Sequence, residues 1–254
     1  MTLTPNPPTA SYKIPALMDI RAVSFDLDDT LWPVLPAILE AEQCVDRWLR
    51  QHHPEVAQAW SVQALRDLRD QISDEYTHLG HDLGALRRLT MERAFTSCGV
   101  ANPPVEEVWR IFYAARNNVE LFPDTLTALE RIRTRVPVAT LTNGNADLTV
   151  IGLHHLFHQH VSSALVGVAK PDRRIFELVS DRLGVPPAHV LHVGDDPTMD
   201  VRGAKEAGMQ TAWFNREGAP WPLPDEFRAD LEFTNLSSLA SWLDDHFDQA
   251  HPAP

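Results

Sequence analysis

Apolar residues fall into two regimes along the chain. Between residues 33 and 118 they recur at helical spacing and never alternate. Ile38, Ala41, Val45 and Trp48 form a first stripe, with Pro36 at a first helical position. Val62, Leu65, Leu68 and Ile72 form a second, after Ser61 as N-cap. Leu83, Leu86, Leu89 and Phe95 form a third, closed by Gly99, and Val105, Val108 and Phe112 follow Pro103-Pro104 as a fourth. Four amphipathic helices in succession predict a small bundle with its own core, in which Trp60 and Trp109 are packing residues.

From about residue 119 short apolar runs alternate with helical stretches. Strands are predicted near 136–141, 164–166, 190–193, 211–214 and 231–233. Helices are predicted near 124–132, 147–157, 172–183, 198–207 and 237–247. Such alternation implies right-handed βαβ units and a parallel sheet covered on both faces. The run Ala22, Val23, Ser24, Phe25 belongs to the same sheet, so the helical block is an insertion after the first strand. The fold class is therefore α/β: a Rossmann-like, doubly wound parallel sheet with an inserted helical-bundle cap domain. The expected division is 1–17 as a flexible N-terminal segment, 18–32 and 119–254 as the core domain, and 33–118 as the cap.

Composition narrows the function. A net charge of −13 argues against nucleic-acid and membrane-surface binding, which call for a basic patch. The 2 cysteines, Cys44 and Cys98, fit neither a disulfide framework nor a zinc pattern and read as reduced thiols. Residues 1–15 lack the apolar segment of a signal peptide, and no run is long enough to span a bilayer, so a cytoplasmic location is expected.

The chemistry concentrates where apolar runs stop. The first run ends in Asp26-Leu27-Asp28-Asp29-Thr30-Leu31-Trp32. Ligands bind beyond strand ends in open α/β sheets. Two carboxylates at i and i+2 there reach one phosphate or one metal, with Asp26 as nucleophile and Asp28 handling the proton. The competing reading is a turn in which Asp28 or Thr30 caps a helix. A calcium loop fits less well, since Leu31 and Ala37 stand where Gly and Glu are wanted. Thr142-Asn143-Gly144 offers a hydroxyl and backbone N–H groups to an oxyanion. Lys170, one of only three lysines, opens a helix before Pro171. Gly194-Asp195-Asp196 through Asp200 puts three more carboxylates past a strand, more than helix capping requires. If these turns adjoin, mutual repulsion pushes some carboxylates to protonate unless a cation sits among them, and oxygen-only ligands point to Mg²⁺. His154 and His158, at i and i+4, are a weak zinc pair with no third ligand; a solvated helix end is the plainer reading.

The four stretches, in this order, resemble the motifs of the haloacid-dehalogenase superfamily of aspartyl-phosphate enzymes. The resemblance spans about residues 20–215 and sets the helical insertion where that superfamily carries a helical cap. It implies a hydrolase in which Asp26, the Asp28 backbone carbonyl and Asp195 bind Mg²⁺. Asp26 would form an aspartyl-phosphate, and Asp28 would act as acid and base. Thr142, Asn143 and Lys170 would bind the phosphate, and Asp196 or Asp200 would orient Lys170 or a metal-bound water. Dehalogenases of the superfamily lack an acid two residues after the nucleophile, and its sugar-phosphate mutases typically show Gly where this chain has Asp29. Two-component receivers, similar in sheet topology, also lack the second acid. Asp28 therefore points to a phosphatase acting on a small-molecule phosphate ester. Within the superfamily, Thr142-Asn143-Gly144-Asn145-Ala146 and the stretch from Leu191 to Gln210 look like those of the bacterial riboflavin-pathway phosphatases. Those enzymes act on 5-amino-6-(5-phosphoribitylamino)uracil and on FMN. Such a substrate carries a ring on which Trp32 could stack, although an isolated aromatic near the domain junction reads more plainly as hinge packing.

Overall fold

A computed structural model describes residues 19–250, the side chains of 249 and 250 excepted; the N-terminal segment expected to be flexible lies outside the described residues. Six strands form one parallel sheet: β1 (Ala22–Phe25), β2 (Val138–Thr142), β3 (Gln159–Ser162), β4 (Val190–Gly194), β5 (Gln210–Phe214) and β6 (Leu231–Phe233). Their order is β3-β2-β1-β4-β5-β6. The chain builds outwards from β1 in one direction and then, from β4, in the other. The carboxyl ends of β1 and β4 thus form the switch point at which a crevice opens.

Every residue of β1, β2 and β4 is buried, as for strands covered on both faces. Val23, Phe25, Leu191 and Val193 point into one apolar layer; Ala22, Ala139, Leu141 and Val190 point into the other. The layers are closed by α6 (Thr125–Arg133), α7 (Leu148–Ile151), α8 (Ser163–Val166), α9 (Arg173–Leu183), α10 (Gly203–Glu206) and α11 (Leu236–Ala250). Burial of each large aliphatic or aromatic side chain stabilises such a core by about 1.5–3 kcal/mol. Among the described residues no helix is long and apolar enough to cross a membrane.

Between β1 and α6 lie five α-helices: α1 (Val34–His52), α2 (Pro54–Ala59), α3 (Val62–Glu75), α4 (Leu83–Ser97) and α5 (Val105–Arg116). Their apolar faces meet in a separate core around Val45, Leu49, Ile72, Leu86, Phe95 and Phe112. The pattern gave four of these helices; the six-residue α2 adds a fifth. Ser61 caps α3 by accepting the Ala64 N–H. α1 starts at Val34 rather than Pro36, because the Asp29 carboxylate accepts the Val34 N–H at 2.9 Å and supplies the cap from upstream. The insertion leaves and rejoins the sheet at one point, where the Phe122 N–H donates to the Leu31 carbonyl at 3.1 Å and Thr125 Oγ1 donates to it at 2.8 Å.

Three expected elements differ. The strand placed at 164–166 is instead the helix α8, and the true strand β3 precedes it at Gln159–Ser162. β3 is an edge strand that buries only Val161, so it carries no apolar run, while Leu165 of the misleading triplet is 84% exposed. The helix expected over 147–157 is broken by Gly152, at φ 88°, into α7 and a single 3₁₀ turn at His154–Leu156. The helix after Asp196 opens with a wide π-helical turn, Pro197–Arg202, before α10.

Candidate active site

β1 delivers Asp26 to the crevice, its N–H donating to the Val193 carbonyl at 2.9 Å. The chain then folds tightly over itself: Asp29 takes a left-handed conformation (φ 58°), which aspartate tolerates better than most residues, and its N–H donates to the Trp32 carbonyl at 2.7 Å. Asp26 and Asp28 thus leave the turn towards different neighbours.

Asp26 looks into the core. Lys170 Nζ donates to Asp26 Oδ1 at 2.5 Å and to Asp200 Oδ1 at 2.6 Å, with both side chains and the ammonium almost wholly buried. Asp200 also accepts from His192 Nε2 at 3.1 Å, and His192 Nδ1 lies 2.8 Å from Ser24 Oγ across the β1–β4 pair. A column of polar groups therefore runs through the sheet from Ser24 to Asp26, each paired as burial requires. Burial disfavours charge on all of them, yet the two carboxylates beside Lys170 outweigh it and hold the ammonium above its usual range. Asp200 is held well below the carboxylate range, because Lys170 and His192 overcome its burial. Asp26 is raised by burial, and by Asp200 and Asp195, against the opposing pull of Lys170. Gly194 makes this packing possible, since a Cβ there would run into the Asp200 carboxylate.

Of the two outer acids, Asp200 is the partner of Lys170. Asp196 is spent as a cap, accepting the N–H groups of Thr198 and Met199 at 2.7 and 2.8 Å, while its own N–H donates to Asp200 Oδ2. Asp195 accepts from Thr30 Oγ1 at 3.2 Å, and its backbone carbonyl accepts from Trp213 Nε1 at 2.8 Å. Its carboxyl is pushed up to about 7 by burial and by the charges of Asp200 and Asp29.

Asp26, Asp195 and Asp200 each present an oxygen within 4.8 Å of the others. Lys170 offsets only part of the charge of three acids this close, two of which have raised pKa, so the cluster has room for a further cation. An all-oxygen set of this kind fits Mg²⁺. Among the described residues it is the one such cluster. His154 stacks on His160, and His158 accepts the Val138 N–H at 3.1 Å, so the zinc pair does not form.

At the end of β2, Thr142 Oγ1 accepts the Gly144 N–H at 2.9 Å, which leaves its own proton to donate. The Asn143 side chain is engaged with the Lys170 backbone in both directions, at 3.0 and 2.8 Å. Asn143 therefore fixes the loop that carries Lys170 beside the strand end, and only its backbone remains for a ligand.

Asp28 faces the cap. Arg116, the last residue of α5, donates through NH2 to both its oxygens, at 2.6 and 2.5 Å, and through Nε to Asn145 Oδ1 at 2.8 Å. The guanidinium is 1% exposed, and its NH1 is buried without a partner. Gly144 leaves room for the pair: a Cβ there would lie 2.5 Å from Asp28 Oδ2 and 3.3 Å from Arg116 NH2. Tyr113 of α5 and Asn117 just beyond it grip the same loop. Tyr113 OH donates to Asp147 Oδ2 at 2.8 Å, and Asn117 Oδ1 accepts the Asp147 N–H at 2.7 Å. Sequence patterning missed Arg116, which reads as a basic residue favoured at a helix C-terminus.

Trp32 does not serve as a stacking platform. Its ring is fully buried in the core, and its indole N–H donates to Asp28 Oδ1 at 2.9 Å. An indole in this position packs the hinge and orients a carboxylate, with no face left for a ligand.

Comparisons with known proteins agree with this geometry. The family model for haloacid dehalogenase-like hydrolases matches residues 20–208. The 5-amino-6-(5-phospho-D-ribitylamino)uracil phosphatase YigB of Escherichia coli K12 is 30% identical over 231 residues, covering 87% of this chain and 95% of that protein. The (S)-2-haloacid dehalogenase 2 of a Pseudomonas species (strain CBS-3) is 28% identical, covering 89% and 99%. The crystal structure of a 2-haloacid dehalogenase from Pseudomonas syringae pv. tomato DC3000 superposes with a TM-score of 0.83 at 33% identity, over 89% of this chain and 99% of that one. With the matching family spanning most of the sheet and the whole insertion, the chain belongs to the haloacid dehalogenase-like hydrolases.

Proposed function

We propose that this chain is a Mg²⁺-dependent phosphatase that hydrolyses a small-molecule phosphate monoester through an aspartyl-phosphate on Asp26. The observation that carries the reading is the second carboxylate, Asp28, fixed at the mouth of the crevice by Arg116 and Trp32. A phosphoryl transfer to Asp26 needs a proton for the leaving oxygen. Displacement of a halide needs none.

Asp26, Asp195 and the Asp28 backbone carbonyl would hold the metal, with Asp200 alongside. Bound there, Mg²⁺ supplies positive charge that offsets the phosphate and keeps the surrounding carboxylates ionised. Asp26 attacks phosphorus as the bond to the leaving oxygen breaks, and Asp28 gives that oxygen its proton. Asp28 then takes a proton from the water that attacks phosphorus and releases Asp26. Thr142 Oγ1–H, the Asn143 N–H and the remaining Lys170 proton bind the phosphoryl oxygens and stabilise their charge in the transition state. The cap closes over the site, excludes water and selects the substrate.

For the physiological ester, the similarity to YigB favours 5-amino-6-(5-phospho-D-ribitylamino)uracil or FMN. A dehalogenase is the second reading, favoured by the similarity to the two dehalogenases. Assays with p-nitrophenyl phosphate, FMN and 2-chloropropionate, each with Mg²⁺ or EDTA, separate the two. The phosphatase reading expects Mg²⁺-dependent phosphate release and no chloride. Metal-independent chloride release without phosphatase activity would overturn it.

A further inference from the structure

Around Glu42 the interior of the cap gathers more positive charge than that one carboxylate balances. Glu42, buried near the middle of α1, accepts from Arg66 of α3 through Nε at 2.9 Å and NH2 at 2.5 Å. Arg69 of α3 and Arg87 of α4 each stand 3.9 Å from the same carboxylate, close enough to share its charge but not to hydrogen-bond to it. Among the described residues Arg87 finds no hydrogen-bond acceptor, and its guanidinium lies 3.6 Å over the Phe112 ring. The other acceptor near Arg69 is Asp70, at 3.5 Å. Asp46, also on the wall, is committed to Arg50 at 2.7 Å. One carboxylate thus serves three guanidiniums, which line a cavity of about 40 Å³ between α1, α3, α4 and α5.

Gathering like charges in an apolar surround is costly unless something compensates them. The strain registers on Arg87, whose pKa is pushed down to about 10 by burial and by the nearby Arg69, only partly relieved by Glu42, with Arg116 and Arg66 adding to the effect. General basicity does not explain it, since the chain carries a net charge of −13. Arg87 lies over Phe112, one turn of α5 before Arg116, and Arg116 holds Asp28, so the cluster stands one helical turn (roughly 5.4 Å) into the cap from that pair.

We propose that Arg66, Arg69 and Arg87 form an oxyanion subsite in the cap that receives a second acidic group of the substrate, remote from the reacting phosphate. The proposal rests on the phosphatase reading above for its substrate, and it names the class: phosphate monoesters with a further phosphate or carboxylate at the far end of the leaving group. Planar guanidinium forks suit such oxyanions. Phe112 and Trp109 give the same wall aromatic surface, and Arg88, which also lines it, is paired with Glu106 at 2.8 Å.

The test uses alkanediol bisphosphates of graded chain length against the matching alkanol monophosphates, assayed on the full chain with Mg²⁺. At one chain length or more, kcat/KM for the bisphosphate should exceed that for the monophosphate at least tenfold, mainly through KM. Arg69→Met and Arg87→Met should each cut that ratio at least fivefold, and Arg87→Lys should restore part of it. No bisphosphate preference at any length, or a preference that survives both substitutions, overturns the subsite. Should the wild-type chain hydrolyse no phosphate ester, the phosphatase reading fails and the subsite is judged by sulfate binding alone. Thermal stabilisation by sulfate should then be smaller in Arg69→Met and Arg87→Met than in wild type, and equal stabilisation overturns it.

Discussion

The two carboxylates that leave the β1 turn stand two residues apart and belong to different parts of the molecule. Asp26 is tied to the sheet: it accepts from Lys170, which Asp200 and His192 hold in turn, and these three come from separate loops and strands and are buried to within a few per cent. Asp28 is tied to the cap, through a guanidinium that arrives from α5 and an indole at the hinge. The proposed nucleophile is thus fixed by the sheet topology, and the proposed proton donor by the insertion itself. A change in the cap should reach turnover through Asp28 and leave the Asp26 network as it is.

The largest effect tests the sheet side. Asp26→Asn should lower kcat by on the order of 10⁴-fold or more for every ester, because the two-step route is lost. Substantial Mg²⁺-dependent turnover in this variant would break the comparison at its root. Next comes the cap side. Arg116→Met should cost on the order of 10²-fold on alkyl phosphates, whose leaving oxygen needs a proton, and clearly less on p-nitrophenyl phosphate, whose leaving group does not. An equal loss on both would mean that Arg116 does not act through Asp28. Asp200→Asn should lower kcat/KM roughly 10–100-fold on both ester types alike, since it loosens Lys170 and not the acid.

The smallest effect concerns the seam itself. Tyr113→Phe removes one bond between α5 and Asp147 and should reduce stability by about 1 kcal/mol in urea unfolding. Burial works against charge on Asp147, but Tyr113 and the N–H groups of Thr149 and Val150 hold its folded pKa below the ordinary value. Its contribution is present in full above the unfolded value of 3.8 and is lost as the pH falls below it. The difference between wild type and Tyr113→Phe should therefore shrink on acidification below about pH 4. A gap that widened there would contradict the pairing.

What the sequence made legible follows the same divide. Asp26, Thr142 and Asp195 could be read because each ends or follows a strand whose apolar run is continuous, and the parallel sheet then brings those ends together; Lys170 could be read as one of three lysines, set before Pro171 at a helix start. Arg116 could not, because its partner lies 88 positions away and nothing local distinguishes it from any basic residue closing a helix. The choice between Asp196 and Asp200 was equally invisible. It turns on the wide turn at Pro197–Arg202, which carries Asp200 back under Gly194. β3 was misplaced because edge position, and not composition, lets Gln159 and His160 sit in a strand. For Trp32 the sequence left stacking on a ligand and hinge packing both open, and burial settles it as hinge packing.

The contact between Leu31 and Phe122 has an evolutionary consequence. It fastens the two ends of a long excursion to each other, so whatever lies between them hangs from a closed neck. Lengthening such an excursion is thermodynamically cheap, at about 0.6 kcal/mol for each doubling of its residues. A lineage could therefore exchange one helical lid for another, and with it one diet of metabolites for another, while the reaction centre beneath went on unchanged.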